Sequence, residues 1–327
     1  MKFQYLSILL EIRYFGIESR LEPHDENQVE RFFFRGKDTL LIHYIKMILS
    51  VTANVTRNTT INLQKKKTSS ESELLIFNAL CSLFTCLALV IACGGIHPVS
   101  AFTLLLSVIY GAALVTAYQT LILAMKEGPM SYTILIATCG MIIPTLFGTI
   151  VYREPVTVFQ LIGFILMPVG FYFGANPKKS DKINAKWVKY VFLCFFASGI
   201  QGVLQKVMIR SVYSDENGMF LLSAFFLSAV LLTVMYFINK DKAKEGKDFA
   251  KKYYTSVIVG IADAFQHKVN TVLSGVLPSM ICYPVINGGG IAGATIVSVL
   301  VFKEKLDKMQ RLGFLLCVVS IILMCIV

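Results

Sequence analysis

Four polar residues in the last third of the chain, Asp263, Gln266, His267 and Asn270, follow the spacing i, i+3, i+4, i+7 that gathers side chains on one face of a helix. A carboxylate and an imidazole one turn apart can share a hydrogen bond and hold a proton or a cationic group between them. The two amides add neutral donors and acceptors. Such a stripe suits either a solute pathway or a contact between helices. A second group follows Pro284: Asn287, then Gly288, Gly289, Gly290 and Gly293. Glycines this dense either let helices pack closely or leave backbone groups free at a cavity, where Asn287 would touch solute. Weaker candidates interrupt other apolar runs: Gln201 and Gln205 one turn apart, Tyr118 with Gln119, Tyr132, and Asn54 with Arg57. Arg57 would matter most for an anionic solute.

These residues sit in surroundings too apolar for a water-soluble fold. Of 327 residues, 55% are hydrophobic and 16% charged, and mean hydropathy is +0.66. Globular domains carry about 25% charged residues, so this chain lacks the means to coat a solvated surface. Disorder, collagen and small disulfide scaffolds are excluded on the same grounds. The eight cysteines lie inside apolar runs with no CxxC pair, which reads as small buried side chains and not as a disulfide framework or zinc site. The net charge of +11 comes from short runs between apolar segments, such as Lys65-Lys66-Lys67 and Lys251-Lys252. That placement fits an anionic lipid leaflet and not nucleic acid.

The apolar runs predict spans at 40–62, 74–93, 101–124, 130–151, 156–174, 187–207, 219–238, 254–274, 280–302 and 309–327. A bilayer crossing needs about 20 such residues, and lipid cannot solvate unpaired backbone, which forces helices. The expected fold is all-α, a polytopic membrane protein with ten transmembrane helices. Asp263 would lie about nine residues, roughly 14 Å, into its span and so near the midplane. Residues 1–38 read as a leader or tail, either disordered or an amphipathic surface helix, with a start at Met47 as the alternative.

The chain repeats itself at an offset of 150 residues. Tyr152–Phe164 and Phe302–Phe314 align without a gap, pairing Glu154 with Glu304, Gln160 with Gln310 and Gly163 with Gly313. Gly140 and Gly290, then Thr145 and Thr295, keep the offset in the preceding helix. Each half, 39–175 and 176–327, then holds five helices. An odd number inverts the second half, so the two repeats are related by a pseudo-two-fold in the membrane plane. Each glutamate precedes a helix, and either caps the N-terminal turn that follows or meets solute.

The order aromatic, basic, Glu, a short polar stretch, Gln, Gly, apolar helix resembles the EamA-type repeat of the drug/metabolite transporter superfamily. It occurs twice, at Tyr152–Phe164 and Phe302–Phe314, and the resemblance extends over about residues 40–327. It implies a secondary carrier of small metabolites with no bound cofactor, working by alternating access. The substrate would be an amino acid, sugar, drug or related metabolite, moved with or without protons. It would enter a central cavity lined by spans 1, 3, 4, 6, 8 and 9. The other readings are a membrane-embedded enzyme or a non-transporting sensor or scaffold. The sequence has no HExxH, GxSxG or glycine-rich phosphate loop, so no enzyme is expected. Loops 1–2, 3–4, 5–6, 7–8 and 9–10 hold the lysine runs, whereas the opposite loops carry Arg153 and Arg210. The positive-inside rule puts the lysine-rich side in the cytoplasm of a cell-membrane protein and both termini outside.

Overall fold

The computed structural model describes residues 26–65, 71–128, 130–175, 184–239, 253–301, 303 and 306–326. Every regular element among them is helical. In chain order these are α1 (Glu26–Lys65), α2 (Glu71–Cys93), α3 (Ala101–Glu127) and α4 (Met130–Thr138). A single 3-10 turn at Cys139–Met141 joins α4 to α5 (Ile142–Val151), and α6 (Val158–Ala175) and α7 (Ala185–Arg210) follow. Then come α8 (Asn217–Ile238), α9 (Thr255–Val276), α10 (Ser279–Val301) and α11 (Lys308–Met324).

The bundle is apolar outside, unlike a soluble protein, and holds charged and amide side chains within its largely apolar interior. Phe192, Phe196, Phe226, Ile258 and Ile261 face outward. Asp263, Lys206, Gln205, Gln266 and Asn54 are buried. Six described segments are long and apolar enough to cross a membrane: Ser72–Cys93, Ala101–Glu127, Thr133–Val151, Ala185–Arg210, Ser214–Ile238 and Ser279–Val301. Val158–Gly174 is a shorter apolar helix. Helices α1 and α9 fall outside this group because each carries its polar residues on the inward face, which lowers its hydropathy. The chain is therefore a multi-pass membrane protein by its helices.

Boundaries match the expected spans closely, with one exception. Helix α1 begins at Glu26, ahead of the expected start at 40, and its Met47 is buried in the core. Residues 1–25 lie outside the described part. The three glycines of α10 do not unwind it. They admit neighbours instead: Val51 lies against Gly289, Asn54 against Gly290 and Val55 against Gly293. Tight packing is thus their role.

Local rules fix the helix ends. Ser100 caps α3, accepting from Thr103 N–H at 3.2 Å, and Asn184 caps α7, accepting from Trp187 N–H at 2.7 Å. At α6 the Thr157 and Gln160 side chains each bond the other's backbone N–H, at 3.2 and 3.1 Å. At α11 Asp307 and Gln310 make the same reciprocal box, at 2.9 and 3.1 Å. The turns before these boxes also match, since Arg153 (φ 51°) and Lys303 (φ 55°) are the non-glycine residues of positive φ among those described. The repeated glutamine is therefore a capping residue. Glu154 does not cap its own following helix, because Thr157 already does.

Helices α6 and α11 pack antiparallel along small residues. Gly163 abuts the Ser320 carbonyl, and the Ser320 hydroxyl donates to the Gly163 carbonyl at 2.5 Å. Gly313 abuts the Gly170 carbonyl, 150 residues from the first contact on each helix. Elsewhere α2 packs on α8, α3 on α7 and α8, α9 on α1 and α2, α10 on α1 and α5, and α4 and α5 on α7.

Candidate functional site

Eight of these helices line one cavity of about 830 Å³. Its wall takes Asn54, Arg57 and Asn58 from α1, Asn78 from α2, Tyr110 and Tyr118 from α3, and Gln201 and Gln205 from α7. Gln266, His267 and Asn270 come from α9, and Tyr283 and Asn287 from α10. Leu114, Leu121, Ile122, Met125, Ile134 and Met141 make the remaining wall apolar. A pocket of this size with a few convergent polar groups suits a small solute.

The stripe on α9 divides between two clusters. Asp263 reaches across to α1, where its Oδ1 lies 2.5 Å from Arg57 Nε. The N–H does not point at this oxygen, which accepts no aligned hydrogen bond, so the contact is an ion pair. Arg57 Nη1 donates to Asn58 Oδ1 at 3.3 Å, and the Tyr118 hydroxyl lies against the same guanidinium. Asp263 sits behind Arg57, fully buried and away from the cavity wall.

His267 turns instead to α3 and α7. Its Nδ1 is 2.9 Å from the Tyr110 hydroxyl and 3.3 Å from Gln205 Nε2. Gln205 Nε2 also donates to the Tyr110 oxygen at 3.1 Å. The Tyr110 proton is then left for the imidazole, which makes Nδ1 an acceptor and puts the ring proton on Nε2. Phe220 and Phe225 close the apolar side of this cluster. The expected Asp263–His267 hydrogen bond is thus replaced by two separate partnerships. Although one turn apart on α9, the two side chains find better partners on facing helices.

The other candidates fall into place around these clusters. Asn270 Oδ1 accepts from the Ser50 hydroxyl at 2.5 Å, and Asn54 donates to the Ile286 carbonyl at 3.3 Å. Asn58 donates to Asn54 Oδ1 at 2.7 Å, and Asn287 to the Tyr283 carbonyl at 2.8 Å. Gln201 donates to the carbonyls of Ala197 and Ala113 at 3.3 and 3.5 Å. Gln266 is buried and its Oε1 has no partner. Gln119 is not on the wall. It lies next to Tyr118 in sequence and so on another face of α3, where it is buried. The side chain of Tyr132 is outside the described residues. Lys268 leaves the cavity altogether and donates to the Ala92 carbonyl in the last turn of α2, at 2.9 Å.

The cavity extends toward one end of the bundle. Gln64 in the last turn of α1, Leu74 in the first turn of α2, and Met125 and Lys126 at the end of α3 line it. Toward the opposite end, off the cavity wall, lies a polar knot. Lys206 of α7 is fully buried and bonds Glu154 Oε1 and the Ser279 hydroxyl, the latter at 2.7 Å. Glu154 Oε2 accepts the Ser279 backbone N–H at 2.6 Å, capping α10. Arg210 lies 3.9 Å from the same carboxylate, and its guanidinium stacks 5.8 Å from the Tyr152 ring centre. Tyr110 and Tyr283, which offer no pattern in sequence, are the residues at the cavity floor that the motifs left out. Among the described residues no group of His, Cys, Asp or Glu is placed to hold a metal ion.

No known protein family and no curated protein matches the chain. Solved structures do match. One, described only as the crystal structure of a protein, covers 86% of this chain and 98% of its own, with a TM-score of 0.67 at 12% identity. That likeness establishes a shared fold.

Proposed function

We propose that this chain is a secondary carrier of small polar metabolites, built as two inverted five-helix repeats that rock about a central solute site. The observation that carries the reading is the cavity itself. It is solute-sized, lined by convergent polar groups inside an apolar-coated bundle, and its lining runs toward one end, while Glu154 and Lys206 pair off the wall toward the other. A site reached from one end at a time is what alternating access requires.

Three features support the inverted repeat. Exchanging α1 with α7, α2 with α8, α3 with α9, α4–α5 with α10 and α6 with α11 turns the α3–α7 contact into α9–α1, α3–α8 into α9–α2, and α5–α7 into α10–α1. The contacts Gly163–Ser320 and Gly313–Gly170 exchange with each other under the 150-residue offset. Equivalent helices α6 and α11 run antiparallel, which sets their capping boxes at opposite ends of the bundle. On this arrangement Lys126, Lys186 and Lys303 share one end, which the positive-inside rule makes cytoplasmic, with both termini outside a cell membrane.

The test is counterflow in proteoliposomes preloaded with single amino acids or sugars. A carrier accumulates labelled solute against the unlabelled pool. Flux without counterflow, or none for any solute, refutes the proposal. Impermeant labelling of cysteines placed at Arg153 and Lys303 must find them on opposite faces.

A further inference from the structure

The Arg57–Asp263 pair is more than packing requires. Burying two charges costs several kcal/mol per ion, and neutral pairs of similar shape serve as well or better. The molecule holds its own comparison, on the repeat reading above. Val55 lies against Gly293 as Gly199 lies against Ile143, which puts Gln201 where Arg57 stands. Asp263 then corresponds to Ala113, the residue whose carbonyl Gln201 meets at 3.5 Å. One half thus builds this helix crossing from a glutamine and an alanine. The other spends an ion pair on it.

What the charged version adds is a guanidinium at the cavity wall. Asp263 holds the Nε edge from behind. The Nη edge lies beside Asn58 and Tyr118, and Arg57 is on the cavity wall with 23% of its side chain exposed. A planar fork held on one side presents paired N–H donors on the other, the match for a carboxylate or phosphate. Gln266, one turn along α9 from Asp263, lines the same wall.

We propose that Arg57 is an oxyanion receptor, so that the transported solute carries a carboxylate or phosphate group that docks on its Nη edge beside Tyr118 and Asn58. Asp263 is the positioning residue. Because Asp263 already balances the charge, the empty receptor is neutral. Short-range hydrogen-bond fit, and not field strength, then selects the ligand. The inference rests on the cavity being the solute site.

Thermal unfolding of the purified full chain in detergent tests it, with 10 mM lactate, L-alanine and glycerol 3-phosphate as probes. Lactamide, alaninamide and glycerol are the matched controls without the anionic group. At least one acid is expected to raise the midpoint by about 2–4 °C, the shift for a millimolar ligand at that excess, and its control to leave it unchanged. The acids separate carboxylate from phosphate. The double variant R57Q/D263N copies the neutral crossing of the other half, so it should fold with a similar ligand-free midpoint and lose the response. Should it fail to fold, R57K keeps the charge without the fork and should need at least tenfold more acid. The proposal is overturned if no acid shifts the wild type, if a control acts equally, or if either variant keeps the wild-type dose response. Counterflow of a neutral solute without any acid response would retain the carrier and remove the receptor. An acid response without counterflow would do the reverse.

Discussion

Replacing Glu154 with glutamine should unlock the closed end of the cavity. Lys206 is fully buried, and Glu154 is its counter-charge, with Arg210 at the rim and Ser279 contributing a neutral hydroxyl. Removing one partner of a buried pair costs about 3–5 kcal/mol, because the remaining charge is stranded. Opening this end would let the Lys206 ammonium reach water. The penalty therefore falls on the closed state, and its lower bound corresponds to about 150-fold in the open-to-closed ratio. Cys282 reports on it. This thiol is 1% exposed, three residues beyond Ser279 on α10. In a background where Cys282 is the sole cysteine, an impermeant maleimide is applied to the face where α7 ends and α10 begins. Its rate follows the population of the open form. E154Q should raise the rate at least tenfold over the wild type. Adding K206M removes the stranded charge, so E154Q/K206M should react more slowly than E154Q. Equal rates in wild type and E154Q, or a double variant faster than the single, would refute the idea that this pair holds the end shut.

Gly313→Ala should destabilise the α6–α11 contact by about 1–3 kcal/mol, since the added carbon would meet the Gly170 carbonyl at 2.6 Å. Gly174→Ala, with nothing within 4 Å of the new carbon, should be neutral or slightly stabilising in the same thermal unfolding assay. Thr157→Ala and Asp307→Ala each remove one arm of a capping box and should cost about 1 kcal/mol apiece, with similar midpoint shifts. Tyr110→Phe leaves His267 Nδ1 without its hydroxyl donor and Gln205 without its acceptor. It should cost about 1–3 kcal/mol of stability and at least tenfold in counterflow. A variant with normal counterflow would show that the His267 cluster is scaffold only.

The helices were legible because bilayer length and apolar runs leave little freedom. Predicted ends such as 130–151 coincide with the observed ones, while α1 extends as a helix N-terminal to its apolar stretch, where polar residues give no hydropathy signal. The α9 stripe was legible as a face, since three of its four residues reach the cavity wall. Its partners were not. Periodicity fixes which side chains share a helix face, but not which helix lies opposite, so Asp263 was matched with His267 in place of Arg57. The capping boxes are visible as T-x-x-Q and D-x-x-Q, yet the charged glutamate three residues earlier competes for the capping role. Its true partners, Lys206 and Ser279, are 52 and 125 residues away.

The two halves divide their labour in a way that bears on how a solute would lie. What recurs at the 150-residue offset is scaffold: the left-handed turn at Arg153 and Lys303, the capping boxes, and the glycines of α6 and α11. What fails to recur lines the cavity. His267 and Asn287 face positions that are Ala117 and Ala137 in the first half, and both alanines are also on the wall. The wall is consequently lopsided, with Arg57 and amides on α1, α7, α9 and α10, and aliphatic residues dominating α3 and α4. A solute with one polar and one apolar end would satisfy both faces at once, polar end toward Arg57. The reverse orientation would bury its polar groups against Leu121 and Ile134 at about 1–3 kcal/mol for each lost hydrogen bond. On the proposed repeat, duplication would supply the symmetric scaffold, and divergence within it would supply a direction for the solute to face.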